Sequence, residues 1–522
     1  MHIEKEDRKM DRIAVREFAD DALDLAEKLG ASYADVRMYL NDNDENISVK
    51  NDVVESVDHG ADSGMGVRVL KNGAWGFSSF PDLSMKKTAC RKRLLAAVRE
   101  AIELAKVSAR LRSFPIELAP LGNVPLIGEY ETPYTIDPFD VPIDEKVNLL
   151  KMLCGALGSR NDVIRVRSSD LRSGRFTKFF AATERGLSGR RYITQTFHKC
   201  SLSLSALAID GNEMQERSFG YGGQASAAGF EHILSLNSLE LAERLVEEVL
   251  QLLGAKECES GDRDIIIMPE HLGLHVHETG HAFEGDRLLG YEQTYVGGTF
   301  ISEILSQIGS YEFGSEAVNI IADATFPEGF GTFAFDDEGV PAQRFFLVER
   351  GVIRNVLVSR ETVSQINRRM GREYFTASNG TMRAASYTRM PLIRMTNISL
   401  LGGTETLSQL ISRVDQGLLL DGTQSWSMSE DRKNFDFGVQ YAREIRNGKL
   451  GRMVRNVGYT GSNLAFWKSC EAVAQEAEGY MLNVPNCGKG QPGQTMMTGH
   501  RTPPALFRNV RVFNRKQRKG GD

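Results

Sequence analysis

Paired cysteines, apolar spans and basic stripes are all scarce in this sequence, and each absence removes a class of protein. The six cysteines stand at 90, 154, 200, 258, 470 and 487 without paired spacing, which excludes a disulfide-stapled scaffold and fits reduced thiols. No run of 18 apolar residues occurs, and the opening MHIEKEDRKMDRIAVREF is charged throughout instead of carrying the apolar stretch of a signal peptide. The chain is therefore expected to be cytoplasmic, with no membrane partner. The formal charge of -6 comes without a long basic stripe, so direct nucleic-acid binding lacks its electrostatic footprint. No low-complexity tract stands out and no 20 to 50 residue period repeats, which argues against solenoids and propellers.

What is present is an ordinary globular balance, 41% hydrophobic and 25% charged over 522 residues. That length exceeds what one hydrophobic core normally fills, so two or three units are expected. Apolar residues at helical spacing predict a first helix over Ala14 to Leu29, ended by Gly30. Alternating stretches at Asp35 to Leu40, Asn46 to Lys50 and Gly66 to Leu70, with an Asn72-Gly73 turn, predict hairpins, and a long helix near Ser84 to Leu111 follows. A Pro-bearing connector, Ile116 to Pro142, precedes a helix over Glu145 to Leu157 and strands within Val163 to Ile209. After a helix around Leu239 to Leu253 comes a compact strand, Asp264 to Met268, and from Val318 onward short extended segments dominate. The expected class is α+β, with N-terminal α/β units followed by a β-rich C-terminal domain carrying a metal site. The expected divisions are an N-terminal α/β domain at 1–115, a central α+β unit at 116–235, the β-rich domain at 236–515 and a charged tail at 516–522.

Four of the nine histidines fall in HLGLHVHETGH, residues 271 to 281. Its last five residues read HExxH, with His277, Glu278 and His281. Helical residues four apart share a face, so both imidazoles can hold one ion, while Glu278, rotated by about 100°, can face a water on that ion. Zinc so held brings the pKa of its water to roughly 7, and a neighbouring carboxylate can take and return the proton. A catalytic zinc needs a third protein ligand and an open position. The metzincin extension fails, because Glu284 and Arg287 stand where Gly and His would be required. Glu284, Asp286, His500 and Cys487 are the candidates, and Lys489 beside Cys487 would favour a thiolate.

HETGHAFEGD, His277 to Asp286, and NCGKGQPGQ, Asn486 to Gln494, resemble the zinc and cysteine segments of the TldD/PmbA metallopeptidase family, in its TldD-like, metal-bearing form. GVRVLKNGAWGF at Gly66 to Phe77, FDDEGVPAQ at Phe335 to Gln343, RMTNISLLGG at Arg394 to Gly403 and NFDFGVQYAREIRNGKLG at Asn434 to Gly451 extend the resemblance over nearly the whole chain. It implies one Zn²⁺ held by His277, His281 and Cys487, with Glu278 as general base. It further implies unfolded or extended peptides as substrates, and a cytoplasmic homodimer or heterodimer with a paralogous subunit lacking the motif. The family's histidines are commonly one residue farther apart, HExxxH, so a deletion after Glu278 is the preferred alignment and His275 the alternative ligand.

Two other readings stand beside this one: a cysteine hydrolase with Cys487 as nucleophile and His500 as base, and a non-catalytic interaction protein with a structural zinc. Asp336, Asp337, Arg383, Arg389 and Arg394 are candidates for holding substrate termini, although surface turns are the commoner fate of such residues. Gly488-Lys489 lacks the spacing of a phosphate loop.

Overall fold

A computed structural model describes residues 12–121, 126–158, 162–187, 189–292 and 298–518. The fold is α+β, with a β-rich C-terminal region.

The N-terminal half is built on one seven-stranded sheet. Its order is Ala74–Pro81, Val53–Lys71, Tyr33–Lys50, Ile164–Glu184, Arg191–Asp210 and Ile127–Glu131, with Glu213–Ser226 also paired to Arg191–Asp210. The stretch 116–142, expected as a connector, thus contributes the strand Ile127–Glu131 to a sheet whose other strands lie on both sides of it in sequence. Both helix pairs cover one face. Arg12–Lys28 and Lys87–Leu111 pack over Val36, Met38, Phe179 and Ala181, while Ile143–Gly158 and Ser238–Gly254 pack over Ile47, Val49 and Leu171. Along Ile164–Glu184 these positions are all odd, as the two-residue period of a strand requires. Along Tyr33–Lys50 they change from even to odd, and a register shift between Tyr39 and Asn41 supplies the extra residue that keeps both ends on one face.

The opposite face of the sheet meets the C-terminal half. Phe180 and Ala182 pack with Phe335, Lys178 Nζ donates to Asp337 Oδ1 at 2.7 Å, and a cavity of about 500 Å³ between the halves is walled by Phe176, Phe197 and Phe333. The C-terminal half holds an eight-stranded sheet in which Gln416–Met428, Gly261–Ile267, Ala505–Asn514, Val457–Ser462 and Asn434–Arg446 pair in succession. The last returns to pair with the first, closing a ring. Helix Pro269–Gly280 leaves this ring and is flanked by the separate hairpin Tyr480–Lys489 and Gln494–Thr502. The charged tail begins as a helical turn, Arg515–Arg518; its last four residues lie outside the described ones.

Candidate metal centre

The buried run Ile265, Ile266 and Ile267 ends a strand, and Pro269 occupies the first turn of the next helix, where a missing N–H costs nothing. The helix runs to Gly280, and His281 continues it with helical backbone angles. His277 and His281 therefore keep the four-residue face that the spacing implies.

Opposite them, hairpin strand Tyr480–Lys489 carries a register shift between Val484 and Cys487. Strict alternation would put Asn486 on the face of Val484; the extra residue puts Cys487 there instead. The donor atoms of His277, His281 and Cys487 lie within 4.8 Å of one another, with Cys487 Sγ 3.4 Å from His281 Nε2. Zn–N and Zn–S bonds at a tetrahedral angle put nitrogen and sulfur roughly 3.5 Å apart, so the spacing fits one ion.

Hydrogen bonds fix which nitrogens are free. His500 Nδ1 lies 3.0 Å from the Ile398 carbonyl. A carbonyl only accepts, so His500 Nδ1 donates and His500 Nε2 accepts. His277 Nδ1, 2.7 Å from that Nε2, must then carry its own proton. By the same logic His281 Nδ1 donates to Glu284 Oε2 at 3.2 Å. Both Nε2 lone pairs are left for a metal, with a partner behind each ring. Burial pushes His277 down to about 4 and His281 down as well, keeping both imidazoles neutral.

Glu284 is buried, which works against its charge, yet Lys489, His281 and Arg287 hold its carboxyl well below the usual carboxylate range. Arg287 Nε donates to it at 2.7 Å. Lys489 Nζ sits 3.3 Å from Glu284 and donates to Asp286 at 2.7 Å and to the Ile393 carbonyl at 2.8 Å. The expectation for Lys489 thus needs correcting, because its charge is spent on these carboxylates. Burial raises the Cys487 thiol, and His281 and Arg394 outweigh it to leave its pKa lowered. Arg394 also donates to the carbonyls of Cys487 and Gln494, bracing the hairpin.

Glu278 is buried beside these three residues and accepts from Arg432 Nη1 at 2.6 Å. Both line a cleft of about 390 Å³ with His277, His281, Trp426, Met428 and Cys487. His275 faces the other way, 4.1 Å from the ring of Phe466, with Phe435 and Phe437 around it and Nδ1 3.2 Å from Tyr459 Oη. It is not among the residues brought together.

Of the candidate terminus-holding residues, Asp336, Asp337 and Arg383 line the cavity between the halves and are bonded within the fold. Asp336 accepts the backbone N–H groups of Glu338, Val340 and Met382, Asp337 is paired with Lys178, and Arg383 donates to the carbonyls of Met395, Met497 and Phe330. The side chains of Asp336, Asp337 and Arg383 are buried, and burial beside Glu338 pushes the Asp336 carboxyl up. The residue that sequence reasoning missed is Arg432, in SEDRKN, which reads as a solvated turn and carries no local mark of its buried partner 154 positions away.

Comparison with known proteins matches three successive stretches of the chain. PmbA/TldA metallopeptidase domain 1 matches residues 34–105, the central domain matches 136–255 and the C-terminal domain matches 260–514. The chain belongs to the PmbA/TldA metallopeptidase family. Among relatives in that family, a metalloprotease of Methanocaldococcus jannaschii is 28% identical over 474 residues, covering 90% of this chain and 94% of its own. A zinc metalloprotease TldD homolog of Saccharolobus solfataricus is 22% identical over 491 residues, covering 93% and 98%. The structure of a protein described as a candidate modulator of DNA gyrase, from Thermotoga maritima, superposes with a TM-score of 0.71 at 16% identity, covering 96% of this chain and 100% of that one. TldE of Thermococcus kodakarensis superposes at 0.68 with 17% identity, covering 95% and 99%. At such identities these structures establish the shared fold alone.

Proposed function

We propose that this family member is a zinc-dependent peptidase of the TldD type, acting on unfolded or extended peptides with Glu278 as general base. The observation that carries the reading is the meeting of His277, His281 and Cys487 donor atoms beside the Glu278 carboxylate in an open cleft. A zinc ion held by those three residues would supply a polarising charge and a water acidified to a pKa of about 7.

The remaining work falls to the chain. Glu278 takes the proton of the attacking water and returns it to the departing amine. Burial keeps the two imidazoles neutral, and the lowered pKa of Cys487 favours the thiolate form that binds a metal. Two strand edges border the cleft. Among the described residues, Gln416–Met428 beyond Leu420 is paired only with Asn434–Arg446, and Tyr480–Lys489 only with Gln494–Thr502. An extended peptide lying between them gains main-chain hydrogen bonds whatever its sequence. No described helix is long and apolar enough to cross a membrane. A cytoplasmic enzyme acting as a dimer, with itself or with a paralogous subunit lacking the motif, completes the proposal.

The test is peptide cleavage by the protein as isolated, after chelation, after readdition of zinc, and by Glu278→Gln. Chelation should abolish turnover and zinc restore it. Glu278→Gln should lower kcat by about 10² to 10⁴ with its zinc retained. Turnover that survives both treatments at full zinc content would refute the assigned mechanism.

A further inference from the structure

Arg432 is an unusual group to leave beside a general base. Its side chain is buried, and among the described residues that side chain makes one hydrogen bond, from Nη1 to Glu278 Oε2 at 2.6 Å. Nε is buried without a partner. A guanidinium has five N–H donors, so the fold retains a charged group whose hydrogen-bonding capacity is mostly unspent, in the wall of the cleft. A purely structural ion pair would be expected to satisfy such donors, since a buried donor left unpaired is destabilising.

The backbone under Arg432 is held firmly. It has φ of 64°, in the left-handed region that non-glycine residues rarely adopt. Its N–H donates to the Ser429 carbonyl at 2.9 Å, and its carbonyl accepts from Asn463 Nδ2 at 3.3 Å. The other end of the Asn463 amide accepts from Thr279 Oγ1 at 3.2 Å. Thr279 follows Glu278 on the helix, so guanidinium and base are referenced to one rigid element, the arrangement that holds a reacting geometry best.

We propose that Arg432 is a catalytic residue that donates hydrogen bonds to the scissile carbonyl oxygen as that oxygen becomes negative. This rests on the peptidase reading above. As the water oxygen bonds to the carbonyl carbon, its proton passes to Glu278 and the carbonyl π pair moves onto oxygen, where the N–H groups of Arg432 meet it. The C–N bond then breaks with its electron pair going to nitrogen, and the amine takes the proton back from Glu278. A receptor for the substrate's terminal carboxylate would belong about one residue, roughly 3.5 Å, farther along an extended peptide. A guanidinium touching the base is instead within reach of the bond under attack.

The experiment uses the zinc-loaded protein with Arg432→Ala and the length-preserving Arg432→Gln, assayed on a C-terminally amidated peptide. Expected are a kcat lower by about 10² to 10³, the cost of removing one oxyanion donor, KM changed by less than about threefold, unchanged zinc content, and partial restoration by guanidinium salts. A second readout needs no turnover. Binding of a phosphinic peptide, a tetrahedral anion, is measured by calorimetry in the Glu278→Gln background, with and without zinc. Loss of Arg432 should weaken that binding by at least about tenfold in both states and leave binding of the parent amide within about threefold. Unchanged phosphinic affinity there would reduce Arg432 to a positioner of Glu278 and overturn the proposal. So would an effect confined to substrates with a free C-terminus. If the unsubstituted protein is inactive or insensitive to chelation, the peptidase reading has failed instead, and the two failures are told apart.

Discussion

Helix Pro269–Gly280 carries one pattern twice. His271 and His275 lie four residues apart on one face, and His277 and His281 repeat that spacing on a face about 120° away. All four rings are buried. The first pair looks into aromatic rings: Phe437 and Tyr459 for His271 and Phe435, Phe437 and Phe466 for His275, with only the hydroxyls of Thr423 and Tyr459 bonded to Nδ1 atoms. The second pair finds a thiol at 3.4 Å, a carboxylate behind one ring and an imidazole behind the other. Spacing brings two nitrogens together, but a ligand site also needs a third donor and partners that fix each tautomer.

The comparison breaks most visibly at the proposed ligands. His277→Ala or Cys487→Ala should leave the purified protein with less than about a tenth of the wild-type zinc, since losing one of three ligands costs more than the 10 to 100-fold typical of an outer partner. His275→Phe should keep its full complement. Metal analysis beside a check of folding decides it, and a folded His275→Phe that has lost its zinc would erase the distinction between the faces. One step smaller is the support behind the rings. His500→Phe removes the acceptor that holds the proton on His277 Nδ1, and Glu284→Gln weakens the one behind His281. Each should weaken zinc binding by about 10 to 100-fold in a chelator competition, whereas His271→Phe should not shift it.

How much of this could be read from the sequence follows from how far apart the parts lie. The His277 and His281 face and the place of Glu278 are local consequences of helical geometry, and HExxH declares them. Cys487 is some two hundred positions away, and its environment alone pointed to Lys489 as the supporting charge; family resemblance singled it out as the ligand. The structure gives that support to His281 and Arg394, because Lys489 faces Asp286 and Glu284. Glu284 and His500 were visible as candidate ligands, yet their role behind the rings depends on which nitrogen each one meets, and no spacing encodes that. Arg432 was invisible, since a charged turn looks the same in sequence whether it faces water or a buried carboxylate. In the fold, the strands were legible as alternating stretches. Their union across the Pro-bearing connector was not, because pairing Tyr33–Lys50 with Ile164–Glu184 is a non-local choice.

The smallest effect concerns acid, and there the two faces should behave alike once the metal is gone. Burial pushes His271 and His275 down to about 3 and His277 to about 4, against about 6.5 in an unfolded chain. Between those values the unfolded state binds a proton that the native state refuses, so stability falls as pH falls through the window from 6.5 toward 4 and is fully present above it. Each such histidine contributes a slope of about 1.4 kcal/mol per pH unit. In urea unfolding of the metal-free protein, His275→Phe should reduce the slope by about 1.4 kcal/mol per pH unit between pH 5.5 and 4, and His277→Phe by nearly as much until pH nears its native value of about 4. The histidine faces are then equivalent as buried bases and differ only in what zinc does to them. Were His275→Phe to leave the slope unchanged, the imidazole would already be protonated in the native state, and the aromatic face could not be the inert counterpart that the comparison requires.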